Sequence, residues 1–390
     1  MRKITADYIY PVSQEPIENG VVIIDDNGKI LSIGERKNFN TDELEIYDGI
    51  IVPGFINAHC HLEGSHLKGK IAEKTGIVQF ILDYISKREA PKEVILQAIA
   101  DGETEMKRNG IVGVGDISNK ADTFLHKAKK NINYHTFVEV FGFDPNKAET
   151  YFYDGLKVME EGNDLGLQIS MTPHAPYSVP AHLFEKIVNY NKNALYSYHS
   201  QESEAEDELF ISGTGNFKKL FQKFNFPDEW FMPTGKTSLI STMHYFGKGK
   251  KILFVHNSFT TSNDVEFAVK SGNDTWWCSC PNANLYIEDV LPDYDLFKGQ
   301  TNKVVLGTDS AASNYQLSIL EEMKTIILHK NNIDFDTLIQ WATLNGARFF
   351  EWDDRLGSIE PGKQPGLNLL EKIDAVKIKL TPQTSVRKIA

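Results

Sequence analysis

Cysteine is scarce in this chain: three occur, Cys60, Cys278 and Cys280, and no two form a Cys-x-x-Cys pair. An odd, unpaired set argues against a disulfide framework or a structural zinc knuckle and points to a reducing compartment. No run of about 18 apolar residues occurs, so no membrane partner or spanning helix is expected. The stretch Met1–Tyr10 lacks the apolar core of a signal peptide, which gives a cytoplasmic expectation. Clustered positive charge is missing too. The net charge is −12, and the short run Lys127-Ala-Lys-Lys130 reads as a solvated helix end, so nucleic acid is not an expected partner. There is no Gly-rich phosphate loop after an early strand; the glycines of Gly110-Ile-Val-Gly-Val-Gly115 fall inside a strand, which argues against an open dinucleotide-binding sheet.

The 390 residues, with 41% hydrophobic and 24% charged side chains, provide an ordinary globular core. A small-molecule substrate fits this balance, and a homodimer stays open. From Ile4 to about Ile50, short apolar runs such as Val21–Ile24 alternate with turn signals such as Asp26-Asn-Gly28, which predicts hairpins. Apolar runs then recur with amphipathic stretches between them: Ile51–Ala58, Ile111–Gly115, Tyr134–Val140, Leu167–Thr172, Ala194–Tyr198, Ile252–Val255, Thr275–Ser279 and Lys303–Gly307. Parallel strands need such crossover segments, and about 250 residues separate His59 from Asp309, the usual size of a (β/α)8 barrel. The expected fold is therefore an α/β TIM-type barrel over residues 51–354. A small β-sandwich from residues 1–50 and 355–390 would complete it, with the tail from Leu356–Lys363 through Asp374–Leu380 as its late turns and strands.

His59 and His61 stand two apart at the end of an apolar run, so on a strand they share a face while Cys60 points away. Alone, that spacing suits a chelate or two unrelated histidines. His174, His199 and His256 also end predicted strands, and Asp309 follows the last. A barrel gathers its C-terminal strand ends on one face, so these residues would meet. His66, His126, His135, His182, His244 and His329 fall mostly in helical or loop contexts, with His66 ambiguous.

With those residues in place the chain resembles the amidohydrolase superfamily, in the branch containing guanine, S-adenosylhomocysteine and aminodeoxyfutalosine deaminases and triazine chlorohydrolases. The matching segments are Val52-Pro-Gly-Phe-Ile-Asn-Ala-His-Cys-His61, Pro173-His-Ala-Pro-Tyr-Ser178, His199-Ser-Gln-Glu202, Val255-His-Asn257, Cys280-Pro-Asn-Ala-Asn284, Leu306-Gly-Thr-Asp-Ser310 with Ser313-Asn314, and Gly357-Ser-Ile-Glu-Pro-Gly-Lys363. They span nearly the whole chain in order. The resemblance implies one divalent metal ion held by His59, His61, His199 and Asp309, with zinc expected and iron the alternative. It also implies catalytic roles for Glu202, His256 and Asp309. His174, Glu63, Ser313 and Asn314 are carried as substrate-binding residues. His174 stands where binuclear relatives usually have a lysine, which favours one metal.

Imidazole and carboxylate ligands suit such an ion, which acidifies water to a pKa of about 7. Glu202 could pass a proton to a ring nitrogen and so drive loss of ammonia; its bland alternative is a helix-start acid, the reading given to Glu204, Glu206 and Glu208. Because ammonia needs a proton to leave and chloride does not, Glu202 favours a deaminase over a chlorohydrolase or amide hydrolase. A non-enzymatic scaffold would have lost a ligand, and none is missing. The run His59-Cys-His-Leu-Glu63 with Ser65-His-Leu-Lys-Gly69 is similar to the aminodeoxyfutalosine deaminase group of bacterial menaquinone synthesis. S-adenosylhomocysteine, methylthioadenosine, adenosine and guanine are the alternative substrates. The segments Leu62–Ile85 and Glu202–Lys250 are expected to wall the substrate side.

Overall fold

The computed structural model describes residues 1–190, 194–330 and 332–390. Its central strands are Phe55–His61, Ile111–Ser118, Asn133–Val140, Ile169–Pro173, Leu195–Ser200, Lys251–His256, Asp274–Ser279 and Val304–Leu306, the last continued by Asp309–Ser310. Their pairing is parallel. Asp309 pairs opposite Cys60, which returns the eighth strand to the first. Between the fourth and fifth strands the His199 N–H donates to the His174 carbonyl at 3.0 Å, and the Thr172 hydroxyl donates to the Ser197 carbonyl at 2.6 Å. Helices such as Lys92–Arg108, Ala148–Asp164 and Ser262–Lys270 lie between successive strands. The result is a (β/α)8 barrel whose strand ends carry His61, His174, His199, His256 and Asp309 to one rim.

The apolar run expected as one barrel strand over Ile51–Ala58 is divided at Gly54. Ile50–Pro53 instead pairs antiparallel with Leu367–Glu371 and parallel with Tyr8–Ile9. The Gly54 N–H donates to the Pro365 and Gly366 carbonyls, both at 3.2 Å. A Cβ there would lie 2.4 Å from Val112 Cγ1 and 2.6 Å from the Pro365 carbonyl oxygen, so only glycine lets the chain cross between sheets. The predicted hairpin is formed by Gly20–Ile24 and Ile30–Glu35, with Asp25 accepting from the Asn27 and Lys29 N–H groups. Its sheet shares an apolar cluster with the other, including Ile4, Val22, Ile30, Ile51, Leu367 and Leu369. Late strands are Leu367–Glu371 and Ser385–Lys388; the expected strand at Asp374–Leu380 reduces to one bridge between Asp374 and Lys379.

Two charged groups are buried, one of them expected to be solvated. Lys127 is inside, not on a solvated helix end, and its Nζ pairs with Asp116 Oδ2 at 2.6 Å. Asp116 Oδ1 accepts from the Leu62 N–H at 2.8 Å, directly after His61. Glu206 stands in the first turn of the helix Glu204–Ser212, as expected, but is fully buried there: its Oε1 accepts from the Gln201 N–H at 2.9 Å.

Candidate active site

Four side chains from three regions of sequence bring their donor atoms within 4.8 Å of one another: His59, His61, His199 and Asp309. His61 Nε2 lies 3.0 Å from His59 Nε2 and 3.3 Å from His199 Nε2. Asp309 Oδ1 lies 3.3 Å from His61 Nε2 and 3.6 Å from His59 Nε2. Nitrogens at about 2.0–2.1 Å from a tetrahedral ion sit roughly 3.3–3.4 Å apart, so these spacings fit one divalent metal.

The outer contacts of these groups orient them for that task. His59 Nδ1 is 3.1 Å from Ser197 Oγ, and His199 Nδ1 is 3.0 Å from the His174 carbonyl, which can only accept. The His199 proton therefore sits on Nδ1 and its Nε2 lone pair faces the cluster. Burial pushes all three imidazoles below their ordinary range, which keeps them neutral. Burial acts to raise the Asp309 carboxyl, but its hydrogen bond with the His59 imidazole opposes that, and the net shift is below the usual carboxylate range. Ser313 Oγ donates to Asp309 Oδ2 at 2.5 Å.

Glu202 Oε1 lies 3.6 Å from His256 Nε2. His256 Nδ1 is 2.7 Å from Asn284 Oδ1, an acceptor, so the imidazole proton is on Nδ1 and Nε2 offers a lone pair towards Glu202. Burial, with the Asp309 and Glu288 charges adding to it, drives the Glu202 carboxyl far above its ordinary value. The two carboxyls are thus pushed in opposite directions, Glu202 up and Asp309 down, the kind of separation that acid and base pairs show. Four backbone positions here are left-handed without being glycine: Gln201, His256, Asn257 and Asp309, with φ of 48°, 76°, 56° and 55°. Such positions gather where function overrides local preference.

The model of the amidohydrolase family matches residues 50–389. The chain belongs to the amidohydrolase family. A protein described as adenosine deaminase from Helicobacter pylori is 24% identical over 368 residues, covering 91% of this chain and 88% of its own. The solved structure of Helicobacter pylori aminofutalosine deaminase in complex with methylthio-coformycin superposes with a TM-score of 0.81 at 24% identity, over 98% of this chain and 94% of that one. An adenosine deaminase from Xanthomonas campestris, solved with bound zinc, gives 0.74 at 20% identity, over 95% and 84%.

In this amidohydrolase a cleft opens over the cluster and is lined by His61, His174, His199, Glu202, His256 and Asp309. One wall is the helix Ile77–Lys87, which turns Ile77, Phe80, Ile81, Tyr84 and Ile85 into the cleft at helical spacing. Glu288 anchors that helix by accepting from the Ile77 N–H at 2.6 Å. The stretch 62–85 therefore contributes wall residues as expected. Beyond Glu202, the expected wall from 203 to 250 does not line this cleft; Phe210, Phe221, Trp230 and Met232 line a neighbouring cavity that shares Phe143, Tyr177 and Ser178 with it.

The four expected substrate contacts divide. His174 lines the cleft, its Nδ1 2.6 Å from Ser178 Oγ. Ser313 is fully buried behind Asp309, and Asn314 Nδ2 donates to the Thr308 carbonyl and Glu322 Oε1 at 2.9 and 2.8 Å. Both support the Asp309 turn and neither lines the cleft. Glu63 accepts from the Asn119 N–H at 2.8 Å and lines a smaller pocket alongside. His66 faces the Arg88 carbonyl at 2.8 Å, off the cluster. The cleft also holds residues that the sequence reading missed. Glu139 accepts from Asn119 Nδ2 at 3.1 Å and lies 3.5 Å from His199 Nδ1, and burial pushes its carboxyl up to about 8. Its signal was one acid near the end of an otherwise uncharged strand, Asn133–Val140.

Proposed function

We propose that this amidohydrolase is a hydrolytic deaminase dependent on one divalent metal ion, zinc in preference to iron, that releases ammonia from an aminated purine nucleoside. The favoured substrate is 6-amino-6-deoxyfutalosine, which would put the enzyme in cytoplasmic menaquinone biosynthesis. The observation that carries the reading is the buried Glu202–His256 pair beside the three-histidine, one-aspartate cluster. Similarity to proteins named as adenosine and aminofutalosine deaminases supports the substrate class. Among the described residues no helix is long and apolar enough to cross a membrane.

A metal ion held by His59, His61, His199 and Asp309 would supply an acidified water and polarise the carbon under attack. The chain's own groups handle the protons. Glu202 gives its proton to the ring nitrogen next to the amine-bearing carbon, which makes that carbon electrophilic. As the water oxygen bonds to that carbon, Asp309 takes one water proton and passes it to the departing amine. The other water proton restores Glu202, and the amine leaves as ammonia. His256 accepts a hydrogen bond at Nε2 and keeps the water aligned; its fixed tautomer comes from Asn284. The apolar helix wall excludes bulk water, which strengthens these interactions.

Metal-replete protein incubated with a panel of adenine nucleosides, including aminodeoxyfutalosine, adenosine, methylthioadenosine and S-adenosylhomocysteine, and with guanine, should release ammonia and show the loss of the exocyclic amine by absorbance. Aminodeoxyfutalosine should rank first by kcat/KM. Silence across the panel, or turnover of a chlorinated triazine alone, would overturn the reading.

A further inference from the structure

Gln201 stands between a cluster histidine, His199, and the proton donor, Glu202, and it is fully buried. Its backbone is left-handed, with φ of 48°, where glycine is the ordinary solution. Glycine would serve the turn alone; what the glutamine side chain adds is a set of contacts. Every polar atom of Gln201 is engaged. Its N–H donates to Glu206 Oε1 at 2.9 Å, and its carbonyl accepts from the Phe259 N–H at 3.0 Å. Its Oε1 accepts from Thr260 Oγ1 at 2.9 Å. Its Nε2 donates to Asp207 Oδ2 at 2.9 Å and to Asp264 Oδ2 at 3.2 Å.

Those partners are themselves fixed. Asp207 Oδ1 accepts from the Ser238 N–H at 2.7 Å; Asp264 accepts from the Thr261 N–H and hydroxyl at 2.9 and 2.6 Å and from the Thr237 hydroxyl at 2.5 Å. Thus one amide joins the end of the fifth barrel strand to the helices Glu204–Ser212 and Ser262–Lys270, and through Asp207 to the start of Ser238–Phe246. The turn holding His256 is tied to the same point: the Asn257 N–H donates to the Ser200 carbonyl at 3.1 Å, just as the Phe259 N–H meets Gln201. Two adjacent left-handed turns, one carrying Glu202 and one carrying His256, are therefore locked to each other through the Gln201 backbone, and the Gln201 side chain locks them to the surrounding helices.

We infer that Gln201 is a positioning residue that sets Glu202 against His256 and the reacting carbon. This rests on the proton-donor reading of Glu202 given above. Misplacement of a reacting group by about 1 Å costs on the order of 100-fold in rate, and the clamp is what prevents it.

The test compares the wild type with Q201M, Q201E and Q201E/D207N, using whichever panel substrate the wild type turns over; silence of the wild type speaks against the deaminase reading, while the variants speak to Gln201. Q201M keeps the length of the side chain and loses its donor and acceptor. It should lower kcat by about 100-fold, with KM within about twofold and the metal content and melting temperature close to wild type. Q201E sets a carboxylate against Asp207 and Asp264 and should lose at least as much. In Q201E/D207N the donor and acceptor are exchanged across the shorter of the two contacts, because the amide introduced by D207N keeps an oxygen for the Ser238 N–H and offers its nitrogen to position 201, while Asp264 still faces the new carboxylate and limits the recovery. That double variant should recover at least about tenfold in kcat over Q201E. Near-wild-type kcat for Q201M overturns the inference. So does equal kcat for Q201E and the double variant, a comparison that stands even where Q201M fails to fold. Loss of metal in step with loss of rate overturns it too, since Gln201 would then act on the cluster rather than on Glu202.

Discussion

The Glu202 carboxyl faces the His256 imidazole across 3.6 Å, from Oε1 to Nε2, and both are buried. The same burial that protonates the acid neutralises the base, so the pair carries one transferable proton and no net charge. Glu202→Gln keeps the volume and removes that proton. Metal content should be unchanged, and kcat should fall by about 10²–10⁴. An unimpaired variant would place the proton transfer elsewhere.

His61→Ala removes the imidazole that lies closest to two other cluster donors, 3.0 and 3.3 Å away. Bound metal, measured on the purified protein, should fall from about one per chain towards none, with turnover falling in parallel. Full metal occupancy in this variant would exclude His61 as a ligand.

Lys127 and Asp116 form a buried ion pair under the same strand end. Lys127→Met strands the Asp116 charge and should cost about 3–5 kcal/mol in urea unfolding. The double variant Lys127→Met with Asp116→Asn should be less destabilised than the single one. A single variant within about 1 kcal/mol of wild type, the size of an exposed pair, would mean that water reaches Asp116.

Burial, with the Asp207 charge adding to it, raises Glu206 from 4.5 to about 8. The folded chain therefore keeps a proton that the unfolded chain releases near its ordinary pKa. This stabilising contribution is full below about pH 4.5 and is lost as the pH rises to about 8. Glu206→Gln cannot titrate, so its melting temperature should improve relative to wild type between about pH 5 and pH 9. A difference that stays constant over that range would contradict the assignment.

Much of this was legible in the chain itself, for physical reasons. Alternating apolar runs and amphipathic segments leave few alternatives to a barrel, and polar residues terminating those runs mark its rim. The first strand was misread because Ile51–Ala58 is apolar on both sides of Gly54, and the break depends on Val112 and Pro365, which are distant in sequence. Lys127 was read as solvated because its partner Asp116 lies on a neighbouring strand. Ser313 and Asn314 were carried as substrate contacts by the family resemblance, yet the turn faces them inward. Glu139 lies in no quoted segment, and Gln201, although inside His199-Ser-Gln-Glu202, looks like a spacer there because its partners Asp207, Thr260 and Asp264 lie outside that segment.

The most direct test of hydrolytic deamination is to run the metal-replete enzyme on its best panel substrate in ¹⁸O-labelled water and to quantify ammonia alongside the product mass. One solvent oxygen on the ring carbon for each ammonia released is the expected result. Protein carrying one metal per chain that releases no ammonia, or a product without solvent oxygen, would contradict the account.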